Sequence, residues 1–174
     1  MFFNKKILLL GGGEFDQDFS LYDYVVALNN NPPFQDTCSN LVRITTGEAK
    51  EINDITFIFK EYKGTSEFIG NRDQFKFKNP HGAAYEWANI LRKQIGGTNP
   101  LMGTVALEFL RHQSPSEIFV DGINFYHSKD LVRTKPIAFG SHNIINDINY
   151  FKLIKKIDSR VFYSELLNKV LDLY

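Results

Sequence analysis

The stretch Lys5-Lys6-Ile7-Leu8-Leu9-Leu10-Gly11-Gly12-Gly13 decides the fold class of this chain. Its unbroken apolar run, residues 7–10, is typical of a central parallel strand that is covered on both faces. The glycines that end the run carry no side chains, so backbone amides in this loop can approach a phosphate or a ribose closely. We therefore predict a first strand followed by a ligand-contacting loop, with a purely structural tight turn as the alternative.

Further strands and helices follow along the chain. Apolar runs predict strands at residues 24–29, 41–45, 55–59, 118–120 and 161–163. Apolar residues at helical spacing predict helices over 81–93, 103–112, 147–156 and 164–173, the last one capped by Ser164. Strands that alternate with helices indicate an α/β fold, Rossmann-like, with a mostly parallel central sheet and helices on both faces.

The length and composition fit one domain. With 174 residues, 43% of them hydrophobic, the chain has the size of a single domain spanning residues 1–174. Residues 61–81 are polar and irregular, with scattered phenylalanines and glycines. We predict that this segment forms a surface loop or lid.

The charge balance and the cysteine count exclude several classes of protein. Lysine and arginine number 20, as do aspartate and glutamate, so no basic surface favours DNA or RNA. Cys38 is the only cysteine, which excludes an internal disulfide and fits a reducing compartment. The apolar run at residues 7–10 is too short for a signal-peptide core or a membrane span. These features predict a cytoplasmic protein without a transmembrane segment.

Ligands of open α/β sheets bind at the carboxyl ends of strands, so the loops after Leu10, Leu28, Thr45 and Val120 are the places to search. Asn29 ends the second predicted strand, where a carboxamide can donate to and accept from a nucleotide. It is equally typical of a turn before prolines. A full dinucleotide fingerprint would need a glycine where Asp16 stands, which disfavours NAD.

His142 is the histidine most suited to catalysis, because it lies in a predicted loop directly before a helix. An imidazole accepts a hydroxyl proton at neutral pH without large pKa tuning. The alternative is an exposed structural histidine.

Asp147 also has two interpretations: it orients the imidazole of His142, or it caps the following helix, and capping is the favoured interpretation. His81, His112 and His127 lack partners at metal-ligand spacing, so we expect metal-free chemistry.

Three segments resemble one enzyme family. Residues 99–103, Asn-Pro-Leu-Met-Gly, and residues 118–126, Ile-Phe-Val-Asp-Gly-Ile-Asn-Phe-Tyr, resemble the small sialyl motif region of sialyltransferases. Bacterial lipooligosaccharide sialyltransferases have Gly-Ile-Asp-Phe-Tyr where this chain has Gly-Ile-Asn-Phe-Tyr at 122–126. Residues 139–147 are similar to the family segment in which a histidine precedes an aspartate by five positions. The resemblance extends to residues 5–13 and 25–29, and thins between 45 and 95.

The resemblance implies inverting transfer of sialic acid, or a related acidic sugar, from a CMP donor such as CMP-sialic acid to a glycan hydroxyl. It implies no metal and no cofactor beyond that donor, and it allows peripheral association with the inner membrane and oligomers. His142 matches the general base, supported by Asp147, and Tyr126 matches the tyrosine whose hydroxyl steadies the departing phosphate. The matching donor-binding residues are Gly11, Gly12, Gly13, Asn29, Gly103, Gly122 and Asn124.

This chain departs from the family pattern at several positions. Gly12 replaces an asparagine, Leu101 and Met102 replace small hydroxyl residues, and Ala27 stands where relatives often carry arginine. Two alternatives therefore stay open. One is a catalytically inactive relative that binds a nucleotide or a glycan, and the other is an unrelated Rossmann-like nucleotide-binding enzyme.

Overall fold

The computed structural model describes residues 2–28, 41–45, 55–62, 65–69, 76–77, 91, 93–94, 97–140 and 142–174. The described strands are β1 Lys6–Leu10, β2 Tyr24–Leu28, β3 Leu41–Thr45, β4 Ile55–Tyr62, β5 Thr65–Ile69, β6 Lys76–Phe77, β7 Glu117–Asp121, β8 Ala138–Phe139, β9 His142–Asn143 and β10 Val161–Tyr163. The described helices are α1 Met102–His112, α2 Ile144–Ile157 and α3 Glu165–Asp172. None of these helices has both the length and the apolar character needed to cross a bilayer.

Eight strands form one sheet in the order β10-β7-β1-β2-β3-β4-β5-β6. The pairings from β10 through β4 are parallel, whereas β5 and β6 add to the edge in antiparallel fashion. The predicted α/β fold with a mostly parallel sheet is therefore confirmed. From β1 the chain builds outward to β2 on one side and later to β7 on the other, so the strand order reverses between β1 and β7. A crevice opens at the carboxyl ends of strands at such a reversal.

Alternate residues of the central strands face two different environments. Ile7 and Leu9 on β1 join a core that includes residues from all three described helices. Leu8 and Leu10 face the opposite side, where Phe15, Phe19 and Tyr22 pack against them. The described helices thus pack on one face of the sheet, and helices on both faces stay a prediction, because residues 29–40, 46–54 and 78–90 lie outside the described residues.

The segment between β1 and β2 covers Leu8 and Leu10 without forming an α-helix. It begins with three glycines, which disfavour a helix, although Phe15, Phe19 and Tyr22 stand at helical spacing. Asp18 accepts the amide of Ser20 at 2.9 Å and so caps only a short 3₁₀ turn, Phe19–Leu21. Phe15 and Phe19 on this irregular segment thus pack against the residues of β1 and β2 that point to this face.

Residues 61–62, 65–69 and 76–77 are the described part of the segment 61–81, for which a loop or lid was expected, and they form strands. β4 extends to Tyr62, and β5 and β6 continue the sheet in antiparallel pairings. Only two residues of sequence, Lys63 and Gly64, separate β4 from β5, which is the length of the tightest hairpin connections. That spacing is the signal that the sequence interpretation missed, because the high polarity of the segment outweighed it.

The helices match their predicted positions closely. In α1 the predicted inward residues Val105, Ala106, Phe109 and Leu110 are all buried. α2 begins at Ile144, three residues earlier than predicted, because the side chain of Asn143 accepts the amide of Ile145 at 3.1 Å. Ser164 caps α3 as predicted. Of the predicted helix at 81–93, only residues 91 and 93 are described, and both are helical.

Asp158 carries a charge network that links the end of α2 to α1 and to Arg160, the residue before β10. Its carboxylate accepts from Arg111 Nε at 2.9 Å and from Arg160 Nε and Nη2 at 2.8 and 2.7 Å. Hydrogen bonds from Arg160, followed by those from Arg111, hold the pKa of Asp158 well below its usual range. This ion-pair stabilisation is complete above the unfolded-state pKa, about 3.9, and is lost as the pH falls below it toward the folded-state pKa.

We expect Asp158→Asn to lower the free energy of unfolding at pH 7 by about 2 kcal/mol, because hydrogen bonds to charged groups are replaced by weaker ones. The difference between variant and parent is expected to shrink at pH 3. Urea denaturation at both pH values measures this difference in the free energy of unfolding. Asp130→Asn, a change at an exposed aspartate, is the control. An equal difference at pH 7 and pH 3 would contradict the ionic origin.

Candidate functional site

A cleft of about 430 Å³ lies at the carboxyl ends of β1 and β7. Predicted donor-binding and catalytic residues that line it are Gly11, Gly12, Gly13, Gly103, Gly122, Asn124 and Tyr126. The first turn of α1 supplies further walls through Leu101, Met102 and Thr104. Asn29 lies outside the described residues, although Leu28, which precedes it, lines the cleft. Residues from segments far apart in sequence thus meet where the strand order reverses.

The glycine loop is locked against the loop that follows β7. A Cβ atom on Gly11 would lie 2.2 Å from the carbonyl oxygen of Gly122, closer than real Cβ contacts allow. The amides of Gly11 and Gly13 donate to the carbonyl oxygens of Asp121 and Gly122, both at 2.8 Å. Those two amides are therefore not available to a phosphate, contrary to the expectation from the sequence. The loop both forms a tight structural turn and lines the cleft.

The turn 124–127 carries unusual backbone conformations. Phe125 and Tyr126 have φ angles of 48° and 64°, in the left-handed region that non-glycine residues rarely occupy. The amide of His127 closes the turn on the carbonyl of Asn124 at 3.0 Å. Phe125 is buried edge-on against Phe151, with ring centroids 5.1 Å apart, and this packing holds the strained turn. Strain of this kind is concentrated at ligand sites, which supports a functional role for the turn.

Tyr126 lies in a partly buried aromatic setting at the cleft wall. Its ring packs edge-on against Phe139 with centroids 5.4 Å apart. Burial, and secondly the charge of Asp147, raises the pKa of the Tyr126 phenol above its ordinary value. The hydroxyl therefore keeps its proton at neutral pH and remains a hydrogen-bond donor.

His142 is positioned by a two-residue hairpin. β8 and β9 pair Phe139 with His142, and their ring centroids lie 5.4 Å apart. Nδ1 of His142 lies 2.9 Å from the carbonyl oxygen of Asn99, and because a carbonyl only accepts, Nδ1 carries a proton. In the neutral ring, Nε2 therefore holds the lone pair. His142 does not line the cleft itself, but it packs against the ring of Phe139, as does Tyr126, which lines the cleft.

Asp147 does not cap the helix on which it lies, and it acts on His142 through its charge and not through a hydrogen bond. Asn143 caps α2, so the capping prediction for Asp147 is wrong, and no hydrogen bond joins Asp147 to His142 among the described residues. Instead its Oδ1 accepts the amide of Leu101 at 2.8 Å and the hydroxyl of Thr104. The carboxylate thereby caps α1, whose own N-cap residue makes no side-chain hydrogen bond. Sequence reasoning assigned the cap to the wrong helix because it sees only neighbours in the chain.

No protein-family model, no curated protein and no solved structure matches this chain. A function must therefore be argued from the geometry of the cleft.

The first turn of α2 clamps the segment that precedes α1. Three hydrogen bonds join the two segments. Asn146 Nδ2 donates to the hydroxyl of Thr98 at 3.0 Å, His142 bonds to the carbonyl of Asn99, and Asp147 accepts the amide of Leu101.

The pKa of Asp147 is raised. Burial raises it, the hydrogen bonds from Thr104 and Leu101 and the nearby charge of His142 lower it, and burial has the larger effect. Its Oδ2 is buried and has no hydrogen-bond partner among the described residues. The carboxylate is thus a costly buried group that holds the first turn of α1, which is part of the cleft wall, against α2.

We expect Asp147→Ala to lower the free energy of unfolding by about 3 kcal/mol, because the amide of Leu101 and the hydroxyl of Thr104 lose their shared acceptor. Asp147→Asn keeps an acceptor oxygen and is expected to cost about 1 kcal/mol. Urea denaturation of both variants at pH 7 makes the comparison. Equal losses for alanine and asparagine would show that the capping oxygen contributes nothing.

Several residues of the site had no usable signal in the sequence. Asn99 acts through its backbone carbonyl, so its side chain gives no indication of the role. His127, set aside for lack of metal-ligand spacing, lines the cleft and donates through Nδ1 to the carbonyl of Asn124 at 3.0 Å. Its Nε2 accepts the hydroxyl of Tyr174, 3.2 Å away.

Within the described part of the chain, no three histidine, cysteine or acidic side chains form a group that could hold a metal.

A larger cleft of about 660 Å³ lies between α1 and α2, away from the strand ends. Its charged and polar lining side chains include Glu108, Arg111, His112 and Tyr150. These groups bond to one another: Glu108 accepts from Arg111 and from Tyr150, and His112 lies 3.1 Å from Glu108. Because these polar groups satisfy each other, the smaller cleft is the better candidate for a ligand site.

Proposed function

We propose that this chain is an inverting, metal-independent glycosyltransferase of the sialyltransferase type. It transfers sialic acid, or a related acidic sugar, from a CMP donor to a glycan hydroxyl. The observation that carries the proposal is that Gly11, Gly103, Gly122, Asn124 and Tyr126 line one cleft. His142 packs against Phe139, the same ring that Tyr126 contacts.

The position of the cleft supports a nucleotide as the ligand. In Rossmann-like sheets, nucleotides bind in the crevice where the strand order reverses. The cleft occupies that place between β1 and β7. We propose that the sheet is Rossmann-like in this sense, although its described helices lie on one face.

Tyr126 is suited to the leaving group. Breaking a sugar–phosphate bond develops positive charge at the anomeric carbon and negative charge on the phosphate, so a preorganised hydrogen-bond donor lowers the barrier. The protonated phenol of Tyr126 is such a donor at the cleft wall. The side chain of Asn124 lies against Gly13 and can contribute a second hydrogen-bond donor.

His142 is suited to the acceptor side. The lone pair on Nε2 takes the proton of the acceptor hydroxyl while that oxygen forms the new bond to the anomeric carbon. The bond from the anomeric carbon to the phosphate oxygen breaks, and its electron pair leaves with CMP. Attack opposite to the leaving group inverts the configuration. The Asn99 carbonyl fixes the ring with Nε2 as the basic nitrogen.

A catalytically inactive relative is the second candidate, and one observation favours it. Leu101 and Met102 place apolar side chains on the cleft wall, and Gly12 adds no side chain at all. This part of the cleft offers a donor sugar few polar contacts. Such a chain binds a nucleotide or a glycan without turnover.

One set of measurements separates these functions. Release of CMP from CMP-sialic acid is followed with and without lactose, and thermal shifts are recorded with CMP, UDP and NAD. A ligand at about 100 times its dissociation constant stabilises a protein by about 2.7 kcal/mol. Turnover with a CMP-selective shift supports the transferase. A CMP shift without turnover supports the inactive relative, and a preference for NAD or UDP contradicts both.

A further inference from the structure

The described lining of the cleft contains no lysine, arginine, aspartate or glutamate. His127 is the only histidine in that lining, and both of its ring nitrogens are hydrogen-bonded. A nucleotide donor of the proposed class carries negative charge on its phosphate and on its sugar carboxylate. Binding such a ligand in a neutral cleft leaves these charges without a partner, so a cation is needed at its edge.

Lys135 is a cation held at that edge. Its Nζ lies 4.4 Å from the ring centroid of Tyr126 and 5.4 Å from that of Phe139, within the range of cation–π attraction. No described carboxylate forms an ion pair with it, whereas Lys129 pairs with Glu14 and Lys169 with Glu165. Its charge is therefore free to meet a ligand.

The backbone builds this position. Thr134, the residue before Lys135, lines the cleft and donates both its amide and its hydroxyl to the carbonyl of Tyr126, at 2.7 and 2.9 Å. An antiparallel bridge between His127 and Arg133 closes the same loop. These bonds place Lys135 beside Tyr126 before any ligand arrives.

We infer that Lys135 is the charge-recognition residue of the cleft and binds an anionic oxygen group of the donor, either its phosphate or its sugar carboxylate. The inference rests on the proposed function for the identity of the donor. It does not require turnover, because an electrostatic contact of this kind acts in binding. The ammonium group sits over the ring of the tyrosine that faces the leaving group, which favours the phosphate.

The experiment compares Lys135→Ala and Lys135→Arg with the parent by titration calorimetry. The probes are CMP, which carries only the phosphate, CMP-sialic acid, which carries both groups, and cytidine, which carries neither. Lys129→Ala is the matched control, since this exposed lysine on the same loop already has a carboxylate partner. We expect Lys135→Ala to raise the dissociation constant of CMP about tenfold and to leave that of cytidine unchanged. Lys135→Arg is expected to keep most of the affinity for CMP.

Each outcome decides a separate point. A loss confined to CMP-sialic acid assigns the lysine to the carboxylate and keeps the inference. Unchanged affinity for both anionic probes overturns it, and so does an equal loss for cytidine, which would indicate a packing role. If the parent chain binds CMP but does not cleave CMP-sialic acid, the transferase proposal is refuted. The comparison of the Lys135 variants stays valid in that case, because it measures binding alone.

If the parent binds none of the three probes, its titration with inorganic phosphate and with free sialic acid is followed by the NMR signals of Tyr126, beside which Lys135 lies. A response of Tyr126 that is seen in the parent and lost in Lys135→Ala supports an anion site for another ligand. No response from the parent overturns the inference.

Discussion

Replacement of His142 with alanine is expected to lower the rate of sugar transfer by about 10² to 10⁴-fold, the usual contribution of a general base. Its Nδ1 is tied to the carbonyl of Asn99, so Nε2 is the nitrogen that takes the proton. CMP affinity is expected to stay within about twofold of the parent, because His142 makes no part of the cleft lining.

Initial rates at saturating donor measure the loss, and calorimetry measures the affinity for CMP. His112→Ala is the control, since this histidine lies on α1 beside Glu108 and away from the cleft. Unchanged transfer in His142→Ala would remove the residue from the mechanism. A joint loss of CMP binding and thermal stability would instead assign His142 to holding the Asn99 segment.

Replacement of Gly11 with alanine is expected to have the largest effect on stability, a loss of about 3 kcal/mol or more. The new Cβ would lie 2.2 Å from the oxygen and 2.5 Å from the carbon of the Gly122 carbonyl. Both clashes are with backbone, which no rotamer change can relieve. The two loops of the cleft must separate, and the amide bonds from Gly11 and Gly13 to the β7 end are lost with that separation.

Gly103→Ala is the matched control for this change. Its Cβ would lie 2.9 Å from Cδ1 of Ile123, the far end of a flexible side chain that can move. Alanine also favours the helix by about 1 kcal/mol, so the net change in stability is expected to stay within about 1 kcal/mol. Urea denaturation compares the two variants. Equal stability of Gly11→Ala and Gly103→Ala would show that the two loops are not locked together.

The sequence predicted the composition of the cleft better than its internal contacts. Gly11, Asn124 and Tyr126 follow directly after strands, and parallel strands bring their carboxyl ends to one edge. Spacing along the chain is enough for that conclusion. It does not identify hydrogen-bond partners, which is why the amides of the glycine loop were expected to face a phosphate and in fact bind the chain itself.

Asp147 and Lys135 illustrate what spacing leaves out. The carboxylate caps a helix that begins 45 residues earlier in the chain, through bonds to Leu101 and Thr104. Lys135 gains its position from the two bonds between Thr134 and the carbonyl of Tyr126. Neither contact has a local signature, because each joins residues that only the folded chain brings together.

The sequence by itself determined the elements: buried strands from continuous apolar runs, helices from apolar residues at helical spacing, and the cap of α3 from Ser164. These follow from local chemistry, since backbone hydrogen bonds and the burial of one face act within a few residues. Tertiary structure alone decided which side chains cover Leu8 and Leu10, which carboxylate caps α1, and the tautomer of His142. Each of these depends on which distant group fills a space or accepts a proton, and a linear pattern does not contain that information.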